Sequence, residues 1–221
     1  MKNILKSVIL LVALTLISSC SSTLTVLNSW TEKGDNILSG RNVLVITKVK
    51  DNGTRIQSEE SITKQLLASN IKAKSSFKMF SMLEPNKKLN KEEIESAVKK
   101  IKEKGYNAIV LTTLKDFSKS QHTEQSGGYY AGGNYYGNYY GGFGSYYGRV
   151  YSSYDRGVYV PAESKTYTSK KYTLETVTYD LDLPENKELI SVITIQIEDP
   201  EDIEKVAKKY AKTVVGKIIK N

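Results

Sequence analysis

The 221-residue sequence is poor in the residues that most often carry chemistry: it has one cysteine, one histidine, one tryptophan and four prolines. A single cysteine, Cys20, excludes an internal disulfide, so the fold must rest on an apolar core. The single histidine, His122, sits in a polar stretch beside Glu124. No His, Cys and carboxylate cluster at metal-ligand spacing surrounds it, and no nucleophile-elbow motif is present. A Ser-His-Asp arrangement would have to use that same imidazole. The uncharged, largely apolar run Val8 to Ile17 has ten residues, against the roughly 20 that a bilayer-spanning helix needs. The formal charge of +8 comes with no nucleic-acid reading motif. Anionic headgroups or glycans suit this lysine-dominated charge better, and no nucleic-acid partner is expected.

What is present at the amino end reads as an export signal. Lys2 and Lys6 form a positive start, Val8 to Ile17 have the length of a signal core, and Ser18-Ser19 supply small residues before Cys20. The stretch Leu16-Ile17-Ser18-Ser19-Cys20 resembles the lipobox of bacterial lipoproteins, with Ile17 in place of the commoner leucine. That resemblance implies cleavage after residue 19, a diacylglyceryl group on the Cys20 thiol and an acyl chain on its amine, with no other cofactor. Two or more chains make such anchoring stable, because each buried methylene contributes about 0.8 kcal/mol. Ser21, rather than aspartate, after the cysteine fits sorting to the outer membrane under the enterobacterial rule. The competing reading is an ordinary secretory signal with a chance cysteine. The expected organisation is a signal peptide over 1–19, a lipidated cysteine and polar tether over 20–40, and one α/β domain over 41–221.

Within that domain, Val43 to Ile46 and Ala108 to Leu111 are β-branched apolar runs that predict buried strands. Ser58 is a plausible start for a helix through Ser69, which Asn70 can end in a left-handed conformation. Ile71 to Ser75 alternates like a half-exposed strand. Asn90-Lys91-Glu92-Glu93 spells a capping box for a helix closed by Gly105. Lys170 to Leu183 and Glu188 to Ile197 read as paired strands around Pro184-Glu185-Asn186-Lys187. Asp199, with Pro200 at the first helical position, predicts the start of a last helix with the stripe Ile203, Val206, Ala207, Tyr210, Val214 and Ile218. These elements predict a mixed sheet of about five strands covered by three helices, in the α/β class with α+β as the variant. Trp30 is expected to dock on the fold.

The unusual feature is a Gly/Tyr-rich insertion, taken as a loop over 126–160, whose stretch 127–157 holds ten of the fifteen glycines and ten of the sixteen tyrosines. No helical or strand period runs through it, and glycine raises the entropy cost of ordering, so a mobile loop is expected. Tyrosines 129, 130, 135, 136, 139, 140, 146 and 147 (Tyr129, Tyr130, Tyr135, Tyr136, Tyr139, Tyr140, Tyr146 and Tyr147) supply flat amphipathic surface suited to glycan, peptide or self-association. The alternative is a tolerated low-complexity insertion between two strands. Glu59-Glu60 and Glu92-Glu93 are expected in first helical turns, offsetting the helix dipole rather than acting as catalysts. Asp180 and Asp182 flank the turn between the two late strands as a weak candidate for a cation.

Taken together, Trp30, the Val43 to Val49 strand, the Ser75-Ser76-Phe77 to Pro85 loop, the Asn90 helix start and Gly105-Tyr106-Asn107-Ala108-Ile109-Val110 resemble a family of uncharacterised bacterial envelope lipoproteins. In that family a domain of unknown function follows the lipobox, and the likeness spans about residues 26 to 221 outside the Gly/Tyr loop. It implies an α/β domain similar to the small modules of curli-export and Tol-system lipoproteins, and no catalytic residues. Members commonly carry aspartate where this chain has Asn107, which argues against an acidic site there. The expected protein is a non-enzymatic envelope lipoprotein, anchored by lipid at the outer membrane, whose domain binds or assembles with an envelope protein or glycan. A glycan- or peptide-binding role for the tyrosine loop and an unrecognised envelope hydrolase are the alternatives.

Overall fold

The computed structural model describes residues 23–34, 36–77, 79, 89–123, 142–143 and 166–220. In chain order the elements are β1 (Thr23–Thr31), β2 (Asn42–Lys48), α1 (Asn52–Ala68), β3 (Lys72–Ser75), α2 (Lys91–Glu103), β4 (Ala108–Thr123), β5 (Thr166–Asp180), β6 (Leu189–Glu198) and α3 (Ile203–Ile219). The strands form one open, mixed sheet in the order β1-β6-β5-β4-β2-β3. β2 is parallel to both β3 and β4, whereas β4, β5, β6 and β1 pair antiparallel in succession. Parallel neighbours need crossovers. Helix α1 supplies the one from β2 to β3, and α2 the one from β3 back past β2 to β4.

Strand alternation sends successive side chains to opposite faces, and both faces are apolar in the middle of the sheet. Val43, Val45, Ala108, Val110, Ile193 and Ile195 pack with Ile62 and Leu66 of α1 and with Tyr210, Val214 and Ile218 of α3. On the opposite face Leu44, Ile46, Ile109, Leu111, Val177 and Tyr179 pack with Ala97 and Ile101 of α2. The α/β expectation therefore holds, with helices on both faces of the sheet. The sixth strand is β1: Thr23–Thr31, expected in the tether, pairs along its length with β6.

Helix ends show where local chemistry overrode the simplest reading. Asp51 caps α1 by accepting from Thr54 N at 2.6 Å, so the helix starts at Asn52 and Ser58 lies inside it. An aspartate with its oxygen aimed at a free amide is as strong a cap as serine. Asn70 takes φ 61 after the helix, the left-handed end expected of it. Asn90 and Glu93 form the expected reciprocal box at the start of α2, and Gly105 follows its end at φ 83. At α3 the cap is Asp202, not Asp199. Asp199 instead turns to the sheet, where its carboxylate accepts from Lys170 N at 2.6 Å and Ser169 Oγ at 3.0 Å.

Candidate functional site

Cys20 and the eight tyrosines singled out in the Gly/Tyr insertion lie outside the described residues. Two residues of that insertion, Gly142 and Phe143, are described. Phe143 is 2% exposed and belongs to the core on the α2 face. Its ring meets Tyr179 edge-on, with centroids 5.9 Å apart at 70°. An edge-to-face pair of this kind adds about 0.5–1.5 kcal/mol to the burial of both rings. The middle of the insertion thus contributes a core residue to the sheet.

His122 falls in β4, its backbone opposite Tyr167, and its side chain lies outside the described residues. The two hairpin carboxylates do meet a cation, but it is a guanidinium. Arg41 Nη2 lies 2.6 Å from Asp180 Oδ2, and Nη1 reaches Asp182. Asn107 completes this corner: its Oδ1 accepts from Asn42 N at 2.9 Å and its Nδ2 donates to Asp182 at 2.8 Å. Among the described residues no group of three or more His, Cys, Asp or Glu side chains is arranged to hold a metal ion.

Glu59 was expected to be a first-turn dipole partner, and it is something else. It lies in the second turn of α1, fully buried, and points at the carboxyl ends of β2 and β3. Its Oε1 accepts from Thr47 N at 3.0 Å, Arg55 Nε at 3.0 Å and Ser76 Oγ at 2.9 Å. Its Oε2 accepts from Ser75 Oγ at 2.6 Å and Phe77 N at 2.8 Å. A carboxylate offers about four lone-pair directions, so this one is saturated. Arg55 also donates to Ser76 Oγ at 3.2 Å and lies 5.4 Å from the Phe77 ring centroid. The cluster ties α1 to two parallel strands. Every acceptor site on Glu59 is occupied by the protein itself, which leaves no room for a general-base role.

A second polar feature crosses the sheet on the α2 face. Register places Lys48, Thr113, Glu175 and Thr194 side by side on β2, β4, β5 and β6. None is more than 8% exposed. Lys115 Nζ bonds Glu175 Oε2 at 2.8 Å. Burial pulls the Lys48 amine down to about 8, because leaving water disfavours the charged ammonium form. The adjacent row, Ile46, Leu111, Val177 and Val192, is wholly apolar, so the polar row marks a boundary within the sheet. On the other face Thr112, Thr176 and Tyr210 form a buried hydroxyl chain, with Thr176 to Thr112 at 2.8 Å and Thr176 to Tyr210 at 2.7 Å. Burial raises the Tyr210 phenol well above the usual tyrosine range.

Sequence reading missed Glu59 and the Lys48 row for one reason: both are partnered across elements distant in the chain. The one local sign was Lys48 continuing the Leu44, Ile46 alternation of β2, which places a lysine where an apolar residue belongs.

No family model and no curated protein matches the sequence. Among solved structures, the chain superposes on the PelC dodecamer from Paraburkholderia phytofirmans with a TM-score of 0.46 and 9% identity, covering 90% of this chain and 100% of that one. It superposes on a DUF4136 family protein from Bacteroides thetaiotaomicron with a TM-score of 0.40 and 10% identity, covering 90% of this chain and 98% of that one. Neither likeness assigns this chain an activity.

Proposed function

We propose that the protein is a non-enzymatic envelope lipoprotein, held at the outer membrane by acyl chains on Cys20, whose α/β domain serves as a binding or assembly module. The observation that carries this reading is the amino-terminal pattern: Lys2 and Lys6, the apolar Val8 to Ile17, Ser18-Ser19, and then the only cysteine of the chain. Four carboxylates among the described residues have structural partners. Glu59 is saturated, Asp180 and Asp182 are held by Arg41, and Glu175 is bonded to Lys115.

Growth with labelled palmitate and mass analysis of the amino-terminal peptide test the anchor. The expected result is label on the protein and a mature terminus at Cys20 carrying acyl chains. An unmodified Cys20 in the mature protein overturns it. Turnover in a broad hydrolase screen that disappears in His122→Ala would overturn the non-enzymatic part.

A second reading, that the tyrosines of the insertion engage a glycan or peptide, is favoured by Phe143. Its burial fastens the insertion to the sheet at residue 143. Binding of envelope glycans that quenches tyrosine fluorescence in the parent, and is lost when tyrosines 129 to 140 are replaced by serine, is the expected outcome of that reading.

A further inference from the structure

Two residues, Ser21 and Ser22, separate Cys20 from the first residue of β1. Three residue steps span at most about 10 Å. A lipid on Cys20 therefore holds the beginning of β1 next to the bilayer, where a polar tether of twenty residues would have let the domain roam.

Among the described residues β1 is an edge of the sheet, paired with β6 alone. Along it the four residues Leu27 to Trp30 are all exposed. Two of them are large and apolar, Leu27 at 53% and Trp30 at 46% exposure. A register shift between Val26 and Asn28 leaves Leu27 without a partner on β6, while Trp30 stands opposite Val192. Edge strands are ordinarily blunted by charge or proline, and residues Leu27 to Trp30 contain neither.

Helix α3 packs on the face of the sheet opposite the one that Val192, and hence its register partner Trp30, occupies, so Trp30 and α3 flank the β1 edge from either side. α3 follows β6 and returns beside β1, since Glu198 lies opposite Thr23 while the Lys217 carbonyl accepts from Thr31 Oγ1 at 3.2 Å. Exposed on it are Lys205, Lys208, Lys209, Lys212 and Lys217; Lys205 pairs with the cap Asp202 at 3.5 Å and Lys208 with Glu204, the one acid within the helix. The edge thus joins an acylated end, two exposed apolar side chains and a positive helix.

We propose that the β1 edge, through Leu27 and Trp30, lies on an anionic lipid surface, with α3 facing the headgroups. The inference rests on the acylation of Cys20 proposed above and adds an orientation to it. Tryptophan favours the water–hydrocarbon boundary, where its ring is buried and its N–H stays wet. Lysines near an anionic leaflet are drawn to its negative surface potential. At about 3.4 Å per residue, Leu27 and Trp30 lie about 14 and 24 Å along the strand from Thr23. The strand must therefore lie along the membrane for both to touch it. The other way to cover the edge is pairing with a second copy. Two-fold edge pairing would bring two lysine-rich α3 helices together, which like charges oppose, so the lipid surface is the occupant favoured here.

Trp30 is the only tryptophan in the chain, so its emission reports this edge alone. The acylated mature protein is reconstituted into vesicles of phosphatidylglycerol and phosphatidylcholine, the latter either ordinary or brominated near the top of the acyl chains. The expected result is a blue-shifted Trp30 emission that brominated lipid quenches at least twofold, with weaker quenching in Leu27→Ser and loss of the signal in Trp30→Phe. Equal emission in both vesicle types from protein that floats with the vesicles overturns the orientation while leaving the anchor intact. A blue shift that grows with protein density but ignores bromine overturns it in favour of a second copy. Protein without acyl chains by mass, failing to float, overturns the anchor and the orientation together.

Discussion

Arg55 Nε and Glu59 Oε1 meet at 3.0 Å across one turn of α1, with 6% and 0% of the two side chains exposed. Ion pairs on an exposed helix face contribute little, but this one is buried, and the remaining valences of Glu59 are filled by the ends of β2 and β3. Removing one partner leaves a buried charge uncompensated. Glu59→Ala is therefore expected to destabilise the protein by about 3–5 kcal/mol, read from urea unfolding midpoints. The double variant Arg55→Met, Glu59→Leu should recover part of that loss, because it removes both charges together. A Glu59→Ala protein within about 1 kcal/mol of the parent would contradict the role given to this carboxylate.

Phe143 gives the Gly/Tyr insertion a structural duty. Phe143→Ala empties a site in the core against Tyr179 and should cost about 3–5 kcal/mol. Two deletions separate anchor from insertion. Removing 127–141 keeps Phe143 and should change stability by less than about 1 kcal/mol, since loop closure depends only weakly on length. Removing 127–157 takes Phe143 with it and should resemble the point substitution. Equal stability of the two deletions would show that Phe143 contributes nothing to the core.

The Lys48 amine, held near 8 against 10.5 for a free lysine, links stability to pH. Its folded pKa lies below its unfolded value, so between about pH 8 and 10.5 the unfolded chain binds the extra proton. Stability from this group therefore rises as pH rises through that window, on the order of 3 kcal/mol in full, and the cost of burying the ammonium is complete below it. Measured from pH 7.5 to 9.5, unfolding free energies should climb in the parent and climb less in Lys48→Met. Parallel pH profiles for the two proteins would show that Lys48 is not held below its ordinary range.

How much of this was legible before the fold was known depends on the range of the interaction involved. Periodicity and caps carried the helix start at Asn90, the turn at Asn70 and the buried runs at Val43 and Ala108, because each is decided within a few residues. Asp51 and Asp202 displaced Ser58 and Asp199 as caps through a choice between nearby candidates that only backbone direction resolves. β1 was hidden because five of the nine residues from Thr23 to Thr31 are Thr, Ser or Asn, and an edge strand buries little of its side-chain surface. Trp30, expected to dock, is half-exposed for that reason. Arg41 with its two aspartates, most partners of Glu59 and the neighbours of Lys48 are brought together from distant parts of the chain, and only the Lys48 alternation and the Arg55–Glu59 spacing were local.

The central claim is that acyl chains on Cys20 hold this domain at a membrane, and fractionation of cells expressing the parent and Cys20→Ser tests it most directly. The parent is expected to sediment with membranes and withstand a salt wash, while the serine variant appears in the soluble envelope fraction or as salt-releasable material. A Cys20→Ser protein that remains as tightly membrane-bound as the parent after the wash would contradict it.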